Sequence, residues 1–191
     1  MSSHRLVRKD SLVIITVISA LVIIITSSSI STYGYFDITK LVYGQSDPDQ
    51  TNANTTNALN LQDIPLEKVH VGDIDVAYKM FGKGDPIILI AGLGGKMDSW
   101  DPSLLNALST NHTVIVFDNR GMGNTTAGSK PYTTPLAYMS QLANDTAGLL
   151  DALEIPKADV LGYSLGSMIA QQFTVTHPEM LNRLLLFAAS C

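Results

Sequence analysis

Apolar and polar positions divide this chain into three stretches of different rhythm. From Ser11 to Ile30 almost every side chain is apolar and none is charged, and Leu12 to Ile25 is broken only by Thr16 and Ser19. From Gln45 to Asn60 the pattern dissolves into Asp, Asn, Thr and Gln with no aromatic residue. Such a composition cannot bury enough surface to offset chain entropy and reads as a tether. From Leu61 onward short β-branched runs alternate with apolar residues at helical spacing, the pattern of α/β architecture.

Within that last stretch the elements can be placed from local rules. Glu67 to Val71 and Ile74 to Phe81 read as strands joined by the turn Gly72-Asp73. Ile87 to Ala91 is a continuous apolar run, as in a parallel strand covered on both faces, and it ends in Gly92-Leu93-Gly94-Gly95. Asp101 caps a helix from Pro102 to Thr110, with proline in the first position. Thr113 to Asp118 is the next strand, 119 to 135 is loop, and Leu136 to Leu153 is helical until Ile155-Pro156 stops it. Ala158 to Tyr163 is a strand, Leu165 to Thr176 a helix, and Arg183 to Ala188 the last strand.

The apolar run at 11–30 is on the boundary between a membrane-spanning helix, which needs about 20 such residues, and the shorter apolar region of a signal peptide. Arg5, Arg8 and Lys9 precede it and only Lys40 follows nearby, so the positive-inside bias keeps the N-terminus in the cytoplasm and exports the rest. The expected organisation is a basic tip and membrane or signal segment at 1–30, a polar tether at 31–60, and an α/β domain at 61–191. The domain is then membrane-anchored and extracytoplasmic, or secreted if the segment is cleaved.

Composition narrows the classes further. The chain has 191 residues, room for one ordinary domain and an appendage. Apolar residues make up 46% and charged residues 15%, enough for a packed core. The net charge of −5 comes without a Lys/Arg cluster beyond the extreme N-terminus, so no nucleic-acid partner is expected. Cys191 is the only cysteine, which excludes an internal disulfide and a cysteine-based metal site. No metal and no organic cofactor is implied.

The chemistry gathers at Gly162-Tyr163-Ser164-Leu165-Gly166, a G-x-S-x-G pattern between an apolar strand and an amphipathic helix. A serine on so sharp a strand-to-helix turn leaves no room for side chains two residues to either side, which explains Gly162 and Gly166. The starting helix also aims N–H groups at any oxyanion forming nearby. Two further landmarks sit at strand ends: the glycine-rich loop at 92–95, and Phe117-Asp118-Asn119-Arg120-Gly121-Met122-Gly123.

With these landmarks in this order, the chain from Val69 to Ala189 resembles the α/β-hydrolase family: a mostly parallel sheet with helices on both faces. The resemblance implies that Ser164 is the nucleophile, that the amides of Leu93 and Leu165 form the oxyanion hole, and that the substrate is a small ester, lactone or related carboxylic derivative. It makes Asp118 and Arg120 loop bracing and Trp100 packing. One departure is Ala91-Gly92 where the family often has His-Gly, which removes a side chain but no backbone donor.

The family's order is Ser, then Asp, then His, and neither partner is apparent. His4 lies before the apolar segment, His70 in the first hairpin, and His112 at the wrong end of its strand. His177, thirteen positions after Ser164, falls roughly 20 Å away at about 1.5 Å per residue and reads as a helix terminator. Leu184 to Phe187 is apolar on both faces, and so is expected to leave a greasy exposed edge. The expectation is therefore a truncated or split hydrolase lacking its C-terminal strands, completed by a second chain, or else an inactive exported binding module.

Overall fold

The computed structural model describes residues 59–129 and 131–189 in full, together with the backbone of 14–18, 21–26 and 29–32. The basic tip, Cys191 and nearly all of the tether lie outside the described residues. The strands are β1 (Ile14–Ile18), β2 (Leu21–Thr26), β3 (Ser29–Thr32), β4 (Glu67–Val71), β5 (Ile74–Gly82), β6 (Asp85–Ile90), β7 (His112–Phe117), β8 (Ala158–Tyr163) and β9 (Leu181–Phe187). The helices are α1 (Pro102–Ser109), α2 (Pro135–Ala152) and α3 (Leu165–Thr176). Among the described residues these strands form one sheet in the order β3-β2-β1-β9-β8-β6-β7-β5-β4.

The centre of the sheet is parallel because each crossover passes through a helix, while β4 and β5 close one side as an antiparallel hairpin. Side chains of the central strands alternate between two cores. Ile88, Ile90, Ile115 and Phe117 face α2 and α3, with Leu149, Ile169 and Phe173. Ile87, Leu89, Val114 and Val116 face α1, with Met97 and Leu105. Burial on both faces is why β6 and β7 are continuous apolar runs in the sequence. Asp101 caps α1 as expected, accepting from the amides of Ser103 at 2.8 Å and Leu104 at 3.2 Å.

Strand β6 lies between β7 and β8, and the helices that follow β6 and β8 cover opposite faces. This is a topological switch point: the loops leaving the carboxyl ends of β6 and β8 diverge and open a crevice above the sheet. The glycine-rich loop and Ser164 occupy those two ends.

Two expectations meet a different arrangement at the other side of the sheet. Instead of a membrane helix at 11–30, the described parts of that segment are strands, and no helix among the described residues is long and apolar enough to cross a membrane. Strand β9 is not a bare edge either, because β1 runs parallel to it with Ile14 opposite Leu184 and Thr16 opposite Leu186. The physical reason is shared. Ile14 to Ile18 is wholly β-branched, a composition that favours strands over helices, and β9 offers a row of backbone groups to pair with.

Candidate active site

The site is built where β8 turns into α3. Ser164 occupies the turn with φ 53° and ψ −117°, a conformation that L residues rarely adopt and that costs on the order of 1–3 kcal/mol. Surrounding bonds hold it there. The Ser164 amide donates to the Phe187 carbonyl at 2.9 Å, and the Ser167 amide donates to the Ser164 carbonyl at 2.9 Å. The buried Ser167 hydroxyl lies 2.7 Å from the Gly162 carbonyl and 2.8 Å from that of Phe187 and joins the two strands beneath the turn. The outcome is an exposed serine side chain at the carboxyl rim.

The two elbow glycines are required by contact. A Cβ on Gly162 would fall 2.3 Å from the Gly166 carbonyl oxygen, and one on Gly166 would fall 1.9 Å from that of Ile90. No alanine fits at either place. The absence of side chains at 162 and 166 lets the start of α3 press directly onto the end of β6.

The glycine-rich loop arrives at the same point. A Cβ on Gly92 would lie 3.2 Å from Cβ of Ser164, so this backbone passes close beside the Ser164 side chain. The loop turns on a Gly95 amide to Gly92 carbonyl bond of 3.0 Å, with Gly94 at φ 71°. Among the described residues the amides of Leu93 and Leu165 donate no hydrogen bond. Both unengaged N–H groups belong to residues that follow the contact directly, Leu165 after Ser164 and Leu93 after Gly92.

Consecutive residues after β7 brace that loop at both ends. The Asn119 side-chain amide donates to the Ala91 carbonyl at 3.2 Å, and the Asp118 carboxylate accepts from the Met97 amide at 2.8 Å and the Asn124 amide at 2.7 Å. A Cβ on Gly123 would strike the Asp118 carboxylate, which accounts for the last glycine of that stretch. Asn119 was not singled out in the sequence, since a lone asparagine carries no pattern. Its neighbour Arg120 is buried and holds Asp145 with two bonds, at 2.8 and 2.7 Å, and Asp73 with a third at 2.7 Å. Hydrogen bonding to Asp145 above all, then to Asp73, raises the guanidinium's hold on its proton despite burial.

Among the described residues no histidine is brought to Ser164. His70 pairs with Asp75 at 2.8 Å in the first hairpin, and His112 begins β7 at the opposite rim, 3.8 Å from Asp159. His177 ends α3, bonded to Asn144 at 2.9 Å. Trp100 is half-buried against the α1-side core and meets Tyr163 edge-on at 6.4 Å. Its indole Nε1 is buried without a partner. With Ala91, Gly92, Leu93 and Tyr163 it lines a cavity of about 120 Å³ beside the loop.

Comparison with known proteins agrees with this geometry. A family model described as alpha/beta hydrolase fold matches residues 85–190. A proposed non-heme bromoperoxidase of Mycobacterium tuberculosis, BpoC, is 39% identical over 116 residues, which are 60% of this chain and 42% of that protein. Among solved structures, a hydrolase from Pseudomonas aeruginosa aligns with a TM-score of 0.57 at 31% identity, over 63% of this chain and 44% of the other. The enol-lactonase of Burkholderia xenovorans aligns with a TM-score of 0.56 at 29% identity, over 62% and 44%. The chain thus spans less than half the length of each of these three relatives.

Proposed function

Because the chain belongs to the α/β-hydrolase fold family, we propose that its domain carries the nucleophile and oxyanion donors of a serine hydrolase acting on an ester, lactone or related carboxylic derivative. The observation that carries this reading is the strained, exposed Ser164 with the Gly92 backbone packed against it. In the reaction, Ser164 Oγ attacks the carbonyl carbon while a base takes its proton, and the Leu93 and Leu165 amides hold the oxygen that gains the electron pair. Collapse of that intermediate breaks the carbon–oxygen bond, and the leaving alcohol takes the proton. Water then frees the acyl group by the same steps in reverse roles. A histidine and a carboxylate from outside the described residues, in the same polypeptide or a second chain, complete the machinery. A relative's description as an enol-lactonase supports the lactone and ester class.

The deciding experiment is incubation of the folded protein with a fluorophosphonate probe and p-nitrophenyl esters beside Ser164→Ala. Labelling and turnover that vanish with the hydroxyl are expected, with a loss on the order of 10⁶ in turnover for a complete enzyme. A folded protein that never labels would sink the reading and favour the second one, a noncatalytic module. That alternative draws on the placement of His70, His112 and His177 away from the serine.

Location outside the cytoplasmic membrane belongs to the same proposal, resting on the basic residues before the apolar run at 11–30. A segment paired with β9 cannot also lie in a bilayer, so an alkaline carbonate wash of membranes separates the two. Retention supports anchorage, and full release of an unshortened chain refutes it.

A further inference from the structure

On the α1 side of the sheet a second cavity, of about 380 Å³, opens between the entry segment that follows Leu61, strand β5 and the turn at Met97 and Asp98. No residue of the 92–95 loop or of the Ser164 elbow lines it, and neither step of the proposed hydrolysis uses it. Its floor is Lys79, whose side chain is 7% exposed, and its mouth carries the exposed carboxylates Asp63 and Asp98. We propose that this cavity binds a free amino acid with an aliphatic side chain, its carboxylate on Lys79 and its ammonium on Asp98.

The charges set the class of ligand. An ammonium has three donors, and a buried charge is ordinarily paired and hydrogen-bonded. Among the described residues Lys79 Nζ meets one acceptor at hydrogen-bonding distance, the Leu61 carbonyl at 2.7 Å, so two donors remain for a partner in the cavity. Asp98 Oδ1 is 3.7 Å away, too far for a hydrogen bond but close enough to place a negative site beside the positive one. A plain carboxylate gains from Lys79 and is repelled by Asp98 and Asp63, while a plain amine gains from those carboxylates and is repelled by Lys79. An α-amino acid carries both charged groups on one carbon and closes an alternating set of four.

The walls come from distant parts of the chain, and buried groups hold them together. The buried Asp118 carboxylate accepts the amides of both Met97 and Asn124, which line the cavity. Lys79 itself ties the entry segment to β5 through Leu61, a core residue, and Asn60 caps that segment by accepting the Gln62 amide at 3.1 Å. A ligand thus meets walls already in place, and little of its binding energy goes into ordering them. Beside the charged groups, Ile64, Pro65, Leu66 and Met97 supply carbon surface, and Leu66 is 45% exposed. An aliphatic side chain laid against them removes apolar area from water. The volume falls among those that hold small organic ligands, about 300–1,000 Å³.

Binding is measured on the full, unaltered chain by saturation-transfer NMR with L-leucine, with isocaproate, which lacks the ammonium, and with isoamylamine, which lacks the carboxylate. Leucine is expected to saturate and to bind at least about tenfold more tightly than either of the other two, and more tightly than glycine. Lys79→Met keeps the apolar stem, removes the charge and should weaken leucine by about tenfold or more. Asp98→Asn should weaken leucine by about as much while isocaproate binds as tightly as before or more so. The Asp98 side chain is 48% exposed, so this second variant is expected to fold and decides the matter even where Lys79→Met does not. Leucine that fails to saturate overturns the proposal, as does glycine, isocaproate or isoamylamine binding as tightly as leucine, or leucine binding that is unchanged in Asp98→Asn. None of these readouts uses turnover, so failure here leaves the hydrolase reading where it stood, and a chain that never labels with fluorophosphonate still decides this one.

Discussion

The two ends of strand β8 make opposite use of their polar groups. At the amino end, buried Asp159 accepts from Arg183 at 3.0 and 2.7 Å and from Asn182 at 2.9 Å. Hydrogen bonding to Asp159 in turn raises the proton affinity of Arg183. At the carboxyl end, Ser164 is twisted to positive φ and exposed, with two neighbouring amides that donate to nothing among the described residues. Buried polar groups are ordinarily satisfied, as Asp159 is, whereas the donors beside the exposed Ser164 are left open. One strand thus carries paired side chains at one end and open donors at the other.

That contrast can be broken from either end. The largest effect is expected from Gly166→Val, whose side chain has no position free of the Ile90 carbonyl. Stability should fall by about 4 kcal/mol or more, with Ser164 labelling lost, as measured by urea unfolding and a fluorophosphonate gel. Next comes Arg120→Met, which leaves the Asp145 carboxylate buried with Gln141 as its remaining side-chain partner. A loss of about 3–5 kcal/mol in urea unfolding is expected. Arg183→Ala at the amino end should cost only about 1 kcal/mol, since that side chain is 47% exposed and Asn182 stays on Asp159. Its labelling rate at Ser164 should match the wild type, and a slowed rate would show that the two ends are not independent.

The smallest effect concerns acid. The Arg120 hydrogen bond, followed by the Ser129 amide, holds the half-buried Asp73 carboxyl below its usual 3.8. A folded value below the unfolded one means that the contribution is complete above that pH and is lost as pH falls through the lowered value. The advantage of wild type over Asp73→Asn in thermal unfolding should therefore be present near about pH 5 and shrink toward about pH 3. An advantage that grows on acidification would reverse the assignment.

Much of this arrangement was legible in the sequence because its signals are local. Strand Ala158–Tyr163 and helix Leu165–Thr176 fall at the expected boundaries, set by the elbow glycines on one side and His177-Pro178 on the other. The distance of His177 from Ser164 followed from helical rise alone. The Arg120 cluster was only half visible: the arginine sits in a recognisable loop, but its partners Asp73 and Asp145 lie 47 and 25 residues away. Nothing in a one-dimensional pattern joins them. Within the run at 11–30, expected as a membrane or signal segment, 14–18 and 21–26 are strands, and periodicity cannot distinguish a fully apolar helix from fully apolar strands. What decided it was a partner, the side of β9, that exists only once the rest of the sheet has formed.

The carbonyl of Phe187 is the peg on which Ser164 hangs, since it takes the Ser164 amide and has the Ser167 hydroxyl beside it. A shift at the tip of β9 reaches the Ser164 backbone through one hydrogen bond, with no detour through the core. The twist at Ser164 is thus anchored from outside its own five-residue turn, on β9.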